Sequence, residues 1–288
     1  MEQRDKAGKL VSIGYQWSHS EAILRLKKDI LNGRFGKPLR MKSIVLWPRY
    51  WDYYERGWAG KKKDNSGNWV LDSVASNATA HYLHNMFYLL GDEINRSAVL
   101  KSVKAETYRA NNIENYDTAA IRAYTDKGVD ILFLASHAIQ PEAVRGPEFE
   151  YVFENGVISY HVSGAEKVEI IKAVLKDGTE INYGNPAEHA VNKFWTILDA
   201  IQNGTNIPCG LEAAAAHTKC INSVQESVPD AAEFPEDLIC RDENRKITWV
   251  KGLADVLNKC YDEWKMPGEL EISWASCGKE VPVDGLSG

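Results

Sequence analysis

Four side chains in one short stretch combine the types and the spacing that proton chemistry needs. In WVLDSVASNATAHYLHNMFYLLG, residues 69–91, Asn77, His81, His84 and Tyr88 stand at i, i+4, i+7 and i+11. Wound as a helix from about Ser76, they share one face. An imidazole titrates near neutrality, so His81 can take a proton from a hydroxyl or return it, while Asn77 fixes its tautomer or holds a substrate hydroxyl. The same spacing suits histidines that only cap buried polar atoms or sit in solvent. No metal site is expected: His-x-x-His supplies two ligands, and no Cys or carboxylate cluster nearby completes a tetrahedral set.

The rest of that stretch has to position these groups. Leu83, Met86, Phe87 and Leu90 form a second, apolar face that packs inward. Ser76 or Asn77 caps the start, and Gly91 ends the helix. Upstream runs a long irregular stretch, Pro48 to Ser73, that holds Arg49, Tyr50, Trp51, Tyr53, Tyr54, Arg56 and Trp58. A loop of that length is usually functional or hides structure of its own. Its arginines and aromatics are suited to a polyhydroxylated ligand, and equally to packing on a sheet. His137, at a strand end, and His217, on a later helix, are secondary pocket candidates that ordinary packing explains as well.

Around this helix the patterns alternate. Leu10 to Tyr15 is an apolar run of strand length, and Ser20 caps a helix that Gly33 closes, a β–α unit. LRMKSIVLW, Ala98–Tyr108, Asp117–Tyr124 and Val129–His137 read as strands, the last two joined through TDKG. GPEFEYVFENGVISYHV is a hairpin turning at Glu154-Asn155-Gly156, and Val168–Leu175 with Thr179–Tyr183 flank Asp177-Gly178. The fold class expected is α+β: one large, mostly antiparallel sheet with helices on one face, preceded by the β–α unit. Three helices close the chain, HAVNKFWTILDAIQNG, LEAAAAHTKCINSVQES and LADVLNKCYDEW; the first puts Val191, Phe194, Leu198 and Ile201 on one face. The tail, CGKEVPVDGLSG, is expected to be loosely held.

At 288 residues, with 44% hydrophobic and 26% charged residues, the chain is sized for one large or two ordinary globular domains. A net charge of −6 argues against a nucleic-acid partner. No apolar run is long enough to span a membrane, and the charged start, MEQRDKAGKL, is unlike a secretory signal. Five cysteines without metal spacing read as reduced thiols, which makes the expected location cytoplasmic.

Asp72, Asn77, His81 and the Leu-Leu-Gly close, together with GRFGKP and the WPR–WAG aromatic stretch, resemble the Gfo/Idh/MocA family of glucose–fructose oxidoreductase and inositol dehydrogenase type enzymes. The family's helix carries Asp-x-x-x-His; counting back from Gly91 puts its histidine on His81 and its aspartate on Asn77, an amide that cannot act as a carboxylate. The resemblance implies an NAD(P)-dependent oxidoreductase acting on a sugar, polyol or related hydroxyl compound. His81, with Asn77, would be catalytic; His84, Arg49, Tyr54, Trp58 and His137 would bind substrate; Gln16 and Trp17 would lie at the cofactor. Residues 1–36 would be the terminal β–α remnant of a Rossmann-type nucleotide-binding domain, and 37–288 the C-terminal substrate-binding and oligomerisation domain, its open sheet face making a homo-oligomer. The family's Gly-rich G-x-G-x-x-G turn and Glu-Lys-Pro lysine are not found in these residues. The expectation is therefore that the nucleotide-binding domain was lost by truncation or a late start, or is a separate chain, and that this chain alone binds no NAD(P) and is inactive. The alternative is a non-catalytic carbohydrate-binding or oligomerisation module.

Overall fold

The computed structural model describes residues 1–161 and 169–283. A short helix α1 (Glu2–Ala7) precedes an extended segment, a 3-10 turn at Gln16–His19, and α2 (Glu21–Leu31). The Ser20 side chain accepts the Ile23 N–H at the start of α2, as its sequence position predicts. Leu10–Tyr15, however, forms no ladder. Among the described residues its backbone reaches a distant segment where the Ile13 N–H donates to the Cys209 carbonyl at 2.8 Å. A strand-like composition makes a strand only where another strand edge is offered, and none lies beside it among the described residues. The expected β–α unit is thus extended chain followed by a helix.

Strands β1 (Pro38–Leu46), β2 (Leu100–Arg109), β3 (Thr118–Thr125), β4 (Asp130–Ser136), β5 (Arg145–Phe153), β6 (Gly156–Tyr160), β7 (Ile171–Leu175) and β8 (Glu180–Gly184) build the sheet. With β9 (Ala232–Glu233) and β12 (Val281–Pro282) it runs β12-β2-β3-β4-β1-β5-β6-β7-β8, β9 pairing on β2. Every pair is antiparallel except β1 with β4 and β2 with β9. The hairpin at Glu154–Gly156 and the Asp177-Gly178 turn fall where their sequences place them; Val162 and Val168, at the ends of two expected strands, and the last five residues of the tail lie outside the described residues.

The parallel β1·β4 pair matters for function. It brings the chain leaving both strands to the same edge, so that Trp47 N–H donates to the Ser136 carbonyl (2.9 Å) and Arg49 N–H to that of His137 (3.1 Å). Between β1 and β2 come the four-residue α3 (Trp51–Tyr54) and α4 (Ala80–Leu89). After β8 come α5 (Asn192–Asn203), α6 (Leu211–Ser227), a small hairpin of β10 (Ile239–Asp242) and β11 (Ile247–Val250), and α7 (Leu253–Glu263).

Helices α2, α4 and α6 lie on one face, where Leu83, Met86, Phe87, Ile23 and Cys220 pack on Met41, Val103, Ile121, Phe133 and Tyr151. The opposite face is not bare. Residues of α7 and β11, among them Leu257, Tyr261 and Val250, cover Ile44, Leu46, Leu132 and Leu134. Central strands covered on both sides read as continuous apolar runs, as SIVL and ILFL do. Lys42 ends on this second face with its ammonium donating to the Tyr261 carbonyl at 2.9 Å and lying over the Tyr261 and Trp264 rings. Among the described residues the face towards β5–β7 is open, with Leu39, Val157 and Val174 exposed.

Candidate active site

The α4 helix begins at Ala80, four residues later than the pattern suggests. In the segment before it, Ser76 Oγ donates to the Leu71 carbonyl and Thr79 Oγ1 to that of Val74 (2.7 and 2.6 Å), while the Thr79 N–H also goes back to Val74. Hydroxyls that take nearby carbonyls wind the backbone wide and delay a regular helix. Asn77 therefore sits on a turn and not on the histidine face. Its amide donates to the Tyr53 hydroxyl at 3.1 Å and also bonds Asp72, whose other contact is the Gly60 N–H at 2.6 Å. Asn77 makes no hydrogen bond to His81 here, so it does not set that ring's tautomer.

Around Tyr15 three imidazoles converge. Its ring stacks on His84 (centroids 3.9 Å apart) and meets His81 and His217 edge-on at 5.6 and 5.7 Å. His217 is bonded at both nitrogens, Nε2 to the Ala75 carbonyl and Nδ1 to the Tyr15 hydroxyl, each at 3.0 Å. A carbonyl only accepts, so Nε2 carries the hydrogen, Nδ1 accepts from Tyr15, and the ring is neutral. His84 is 1% exposed, bonded through Nε2 to Ser18 Oγ at 3.0 Å and lying beside Cys209. Tyr15 stacked on its ring and Ser18 and Cys209 at its Nε2 cover it, so His84, a candidate for substrate binding, is buried by its neighbours although it shares the face of His81.

His81 is the half-buried imidazole of the set. Its Nδ1 is buried without a partner, leaving Nε2 as the nitrogen that reaches solvent. Burial, with the Lys193 ammonium on α5 adding to it, holds its pKa below the ordinary histidine value. A neutral ring with an open nitrogen can accept a hydroxyl proton at pH 7.

A second group gathers where the chain leaves β1 and β4. His137 Nδ1 bonds the Trp47 carbonyl at 2.8 Å, its ring lies 5.6 Å from Tyr53, and the Arg49 guanidinium lies over the Tyr53 ring at 5.0 Å. Burial, reinforced by Arg49, pushes the His137 pKa down to about 3. Arg49, Tyr54 and His137 are thus brought together as substrate-binding candidates, with Tyr53 and its link to Asn77 joining them to the α4 segment. Tyr53, one of the aromatics of the Pro48–Ser73 stretch, belongs with them through its ring contacts to His137 and Tyr54. Tyr54 also lines a cleft of about 700 Å³ with Trp51, Asn111, Arg109, Arg241 and Thr248. Trp58 stays apart, exposed and covered by the Arg56 guanidinium.

The cofactor assignment fits poorly. Trp17 is 4% exposed and packs edge-on to Tyr82, Phe149 and Tyr160, a core residue and not a nucleotide contact. A tryptophan preceding a capped helix packs that helix down, and Gln16 alone makes no dinucleotide site. No group of three or more His, Cys, Asp or Glu suited to a metal occurs among the described residues, and no described helix is long and apolar enough to cross a membrane.

Residues 23–159 match the family described as GFO/IDH/MocA C-terminal domain. Among solved structures, the chain is similar to the WlbA dehydrogenase from Bordetella pertussis in complex with NADH and UDP-GlcNAcA (21% identity, 79% of this chain and 65% of that one, TM-score 0.59). It is also similar to the UDP-N-acetylglucosamine 3-dehydrogenase GnnA from Acidithiobacillus ferrooxidans (14%, 78% and 65%, TM-score 0.56). A third is a super-repressor mutant of Gal80p from Saccharomyces cerevisiae (15%, 78% and 64%, TM-score 0.56). At these identities the likeness is one of fold, and the chain spans just under two thirds of each of the three. No curated protein matches it in sequence.

Proposed function

We propose that this chain, whose residues 23–159 are a Gfo/Idh/MocA C-terminal domain, is the substrate-binding and proton-handling part of an NAD(P)-dependent oxidoreductase for a sugar, polyol or related hydroxyl compound. The carrying observation is His81: a neutral imidazole at the start of α4, one nitrogen open, steadied edge-on by Tyr15. Its role is to take the hydroxyl proton as the substrate carbon gives up hydride. Tyr15 and His217 hold the wall behind it through their mutual hydrogen bond. In this reading the hydride acceptor sits outside these residues, and the chain's own share is binding, orientation and the proton.

A nucleotide-binding domain outside these residues, on this polypeptide or another, completes the enzyme in this reading. What supports it is the outer face of α5. Phe194, Trp195 and Ile201 are 58%, 64% and 64% exposed on a helix that carries Lys193, the charge felt by His81. An apolar face of that size calls for a cover. We place the homo-oligomer on the open β5–β7 face and keep the chain in the cytoplasm.

The test is a pair of titrations of this chain. A panel of sugars and polyols should bind and shift the imidazole resonances of His81, whereas NADH should show no fluorescence enhancement up to millimolar concentration. Micromolar NADH binding, or sugars that leave His81 unmoved, refutes the reading.

A further inference from the structure

Helix α3 has two sides. At i, i+3 and i+4, its Trp51, Tyr54 and the adjoining Glu55 share a face and line the cleft of about 700 Å³, whereas Tyr53 turns to Asn77 and His137. The other walls come from the chain leaving β2, from β9 and from the β10–β11 hairpin; His81 does not line it. Its volume lies within the ~300–1,000 Å³ of ordinary small-molecule sites.

The donors of this cleft are already spent, and what is left accepts. The Trp51 indole N–H goes to Thr248 Oγ1 at 3.0 Å, which fixes that ring as a wall. Arg109 is held by the Glu233 carboxylate and the Ile113 and Glu114 carbonyls, and Arg241 by Glu236. Glu243 is met by the Lys246 ammonium, while Glu55 has no ion-pair partner among the described residues, so the lining keeps a negative surplus. Asn111, 5% exposed, donates from Nδ2 to Asp117 at 2.8 Å. That bond leaves its Oδ1 an acceptor with no donor among the described residues, on a side chain that lines the cleft. An acceptor on so buried a residue calls for a guest that brings the donor. Hydroxyls are such donors, the negative surplus turns away carboxylates and phosphates, and the Trp51 and Tyr54 rings suit the apolar face of a sugar ring.

We infer that this cleft is a second binding site, for a neutral disaccharide or trisaccharide, divided by α3 from the side that carries Asn77 and His81. It does not depend on the proton-handling role of His81.

Titration of isotope-labelled protein with lactose, cellobiose and maltose, and with the alditol and aldonate of each, tests it, inorganic phosphate serving as the anion control. The signals to follow are the Trp51 indole N–H and the Asn112 side-chain amide. At least one disaccharide should bind saturably and shift both signals, and its aldonate should bind at least ~5-fold more weakly than its alditol. Asn112 is an exposed lining residue whose side chain makes no hydrogen bond among the described residues. Asn112→Trp should therefore fill the cleft and abolish binding with the melting temperature unchanged, and Glu55→Lys should narrow the gap between alditol and aldonate. No saturable binding, an aldonate as tight as its alditol, phosphate shifting the same signals, or binding that survives Asn112→Trp each overturns the site. Shifts confined to His81 overturn it too, and leave the proposed function standing.

Discussion

Acid should unfold this protein well above the carboxylate range, and two histidines set the size of the effect. Burial pushes His217 down to about 4 and His137 down to about 3, against an ordinary value near 6.5. A depressed histidine pKa means the unfolded chain binds more protons than the folded one below pH ~6.5. Stability is then full above that value and is lost as pH falls towards the folded-state values. Each ring contributes about 1.4 kcal/mol per pH unit once the window is entered, hence about 2 kcal/mol between pH 7.5 and 5.0 and roughly 4 for the pair. That is a large share of the roughly 5–15 kcal/mol that domains ordinarily have. The buried carboxyls Asp72 and Asp117 act with the opposite sign, since burial raises their pKa. Urea unfolding at pH 7.5, 6.5, 5.8 and 5.0 gives the curve for wild type. His217→Gln and His137→Gln should each flatten it by about 2 kcal/mol, whatever His19, His81 and His84 add to the background. A wild-type loss below about 1 kcal/mol, or variants with an unaltered slope, would show that these rings are not held neutral by burial.

Trp17→Ala should cost about 3–5 kcal/mol in urea unfolding, the price of a cavity among Tyr82, Phe149 and Tyr160, and leave ligand affinity of the folded fraction unchanged; a loss below 1 kcal/mol would return Trp17 to the surface. Burial raises the thiols of Cys209, Cys220 and Cys260 to about 12, so in native protein only Cys240 and Cys277 should react promptly with a thiol reagent, the other three reacting on unfolding. Five fast equivalents would contradict the core described for α6 and α7. Val157→Lys with Val174→Lys, both on the open sheet face, should shift a dimer to monomer by light scattering; an unshifted mass places the contact elsewhere.

Local chemistry made most of the sheet legible. Strand patterns placed β2 to β5 and β8 within one or two residues of their observed bounds. The Asn155-Gly156 and Asp177-Gly178 turns fell between β5 and β6 and between β7 and β8, because turn geometry fixes a hairpin's register; β7 starts at Ile171, three residues after the expected Val168. What escaped depended on partners distant in sequence. Leu10–Tyr15 has the composition of a strand and no edge to join. The turn before α4 is decided by Ser76 and Thr79 reaching back to carbonyls, a competition that periodicity does not register. Helix α7 lies across β1 on the second face through contacts more than 200 residues apart in sequence, as between Lys42 and Tyr261. Spacing did bring His81 and the inward apolar face of α4 to their observed places. It did not separate His84 from His81: both fall on the polar side of α4, but only the structure shows Tyr15 lying over one and beside the other.

The half-finished look of the site has one physical explanation under the proposed reading. Phe194 and Trp195 are 58% and 64% exposed, so a cover would bury on the order of 90–150 Å² more of each, about 2–4 kcal/mol of favourable transfer before ordering costs. Lys193 on that helix acts on the His81 ring only as a charge at a distance, adding to the lowering that burial causes. Desolvation lowers the pKa of an imidazole further and strengthens its hydrogen bond to a substrate hydroxyl. Under the proposed reading, docking on α5 would bury its exposed aromatics, and the low pKa of His81 keeps that ring neutral and free to accept a hydrogen bond from a substrate hydroxyl.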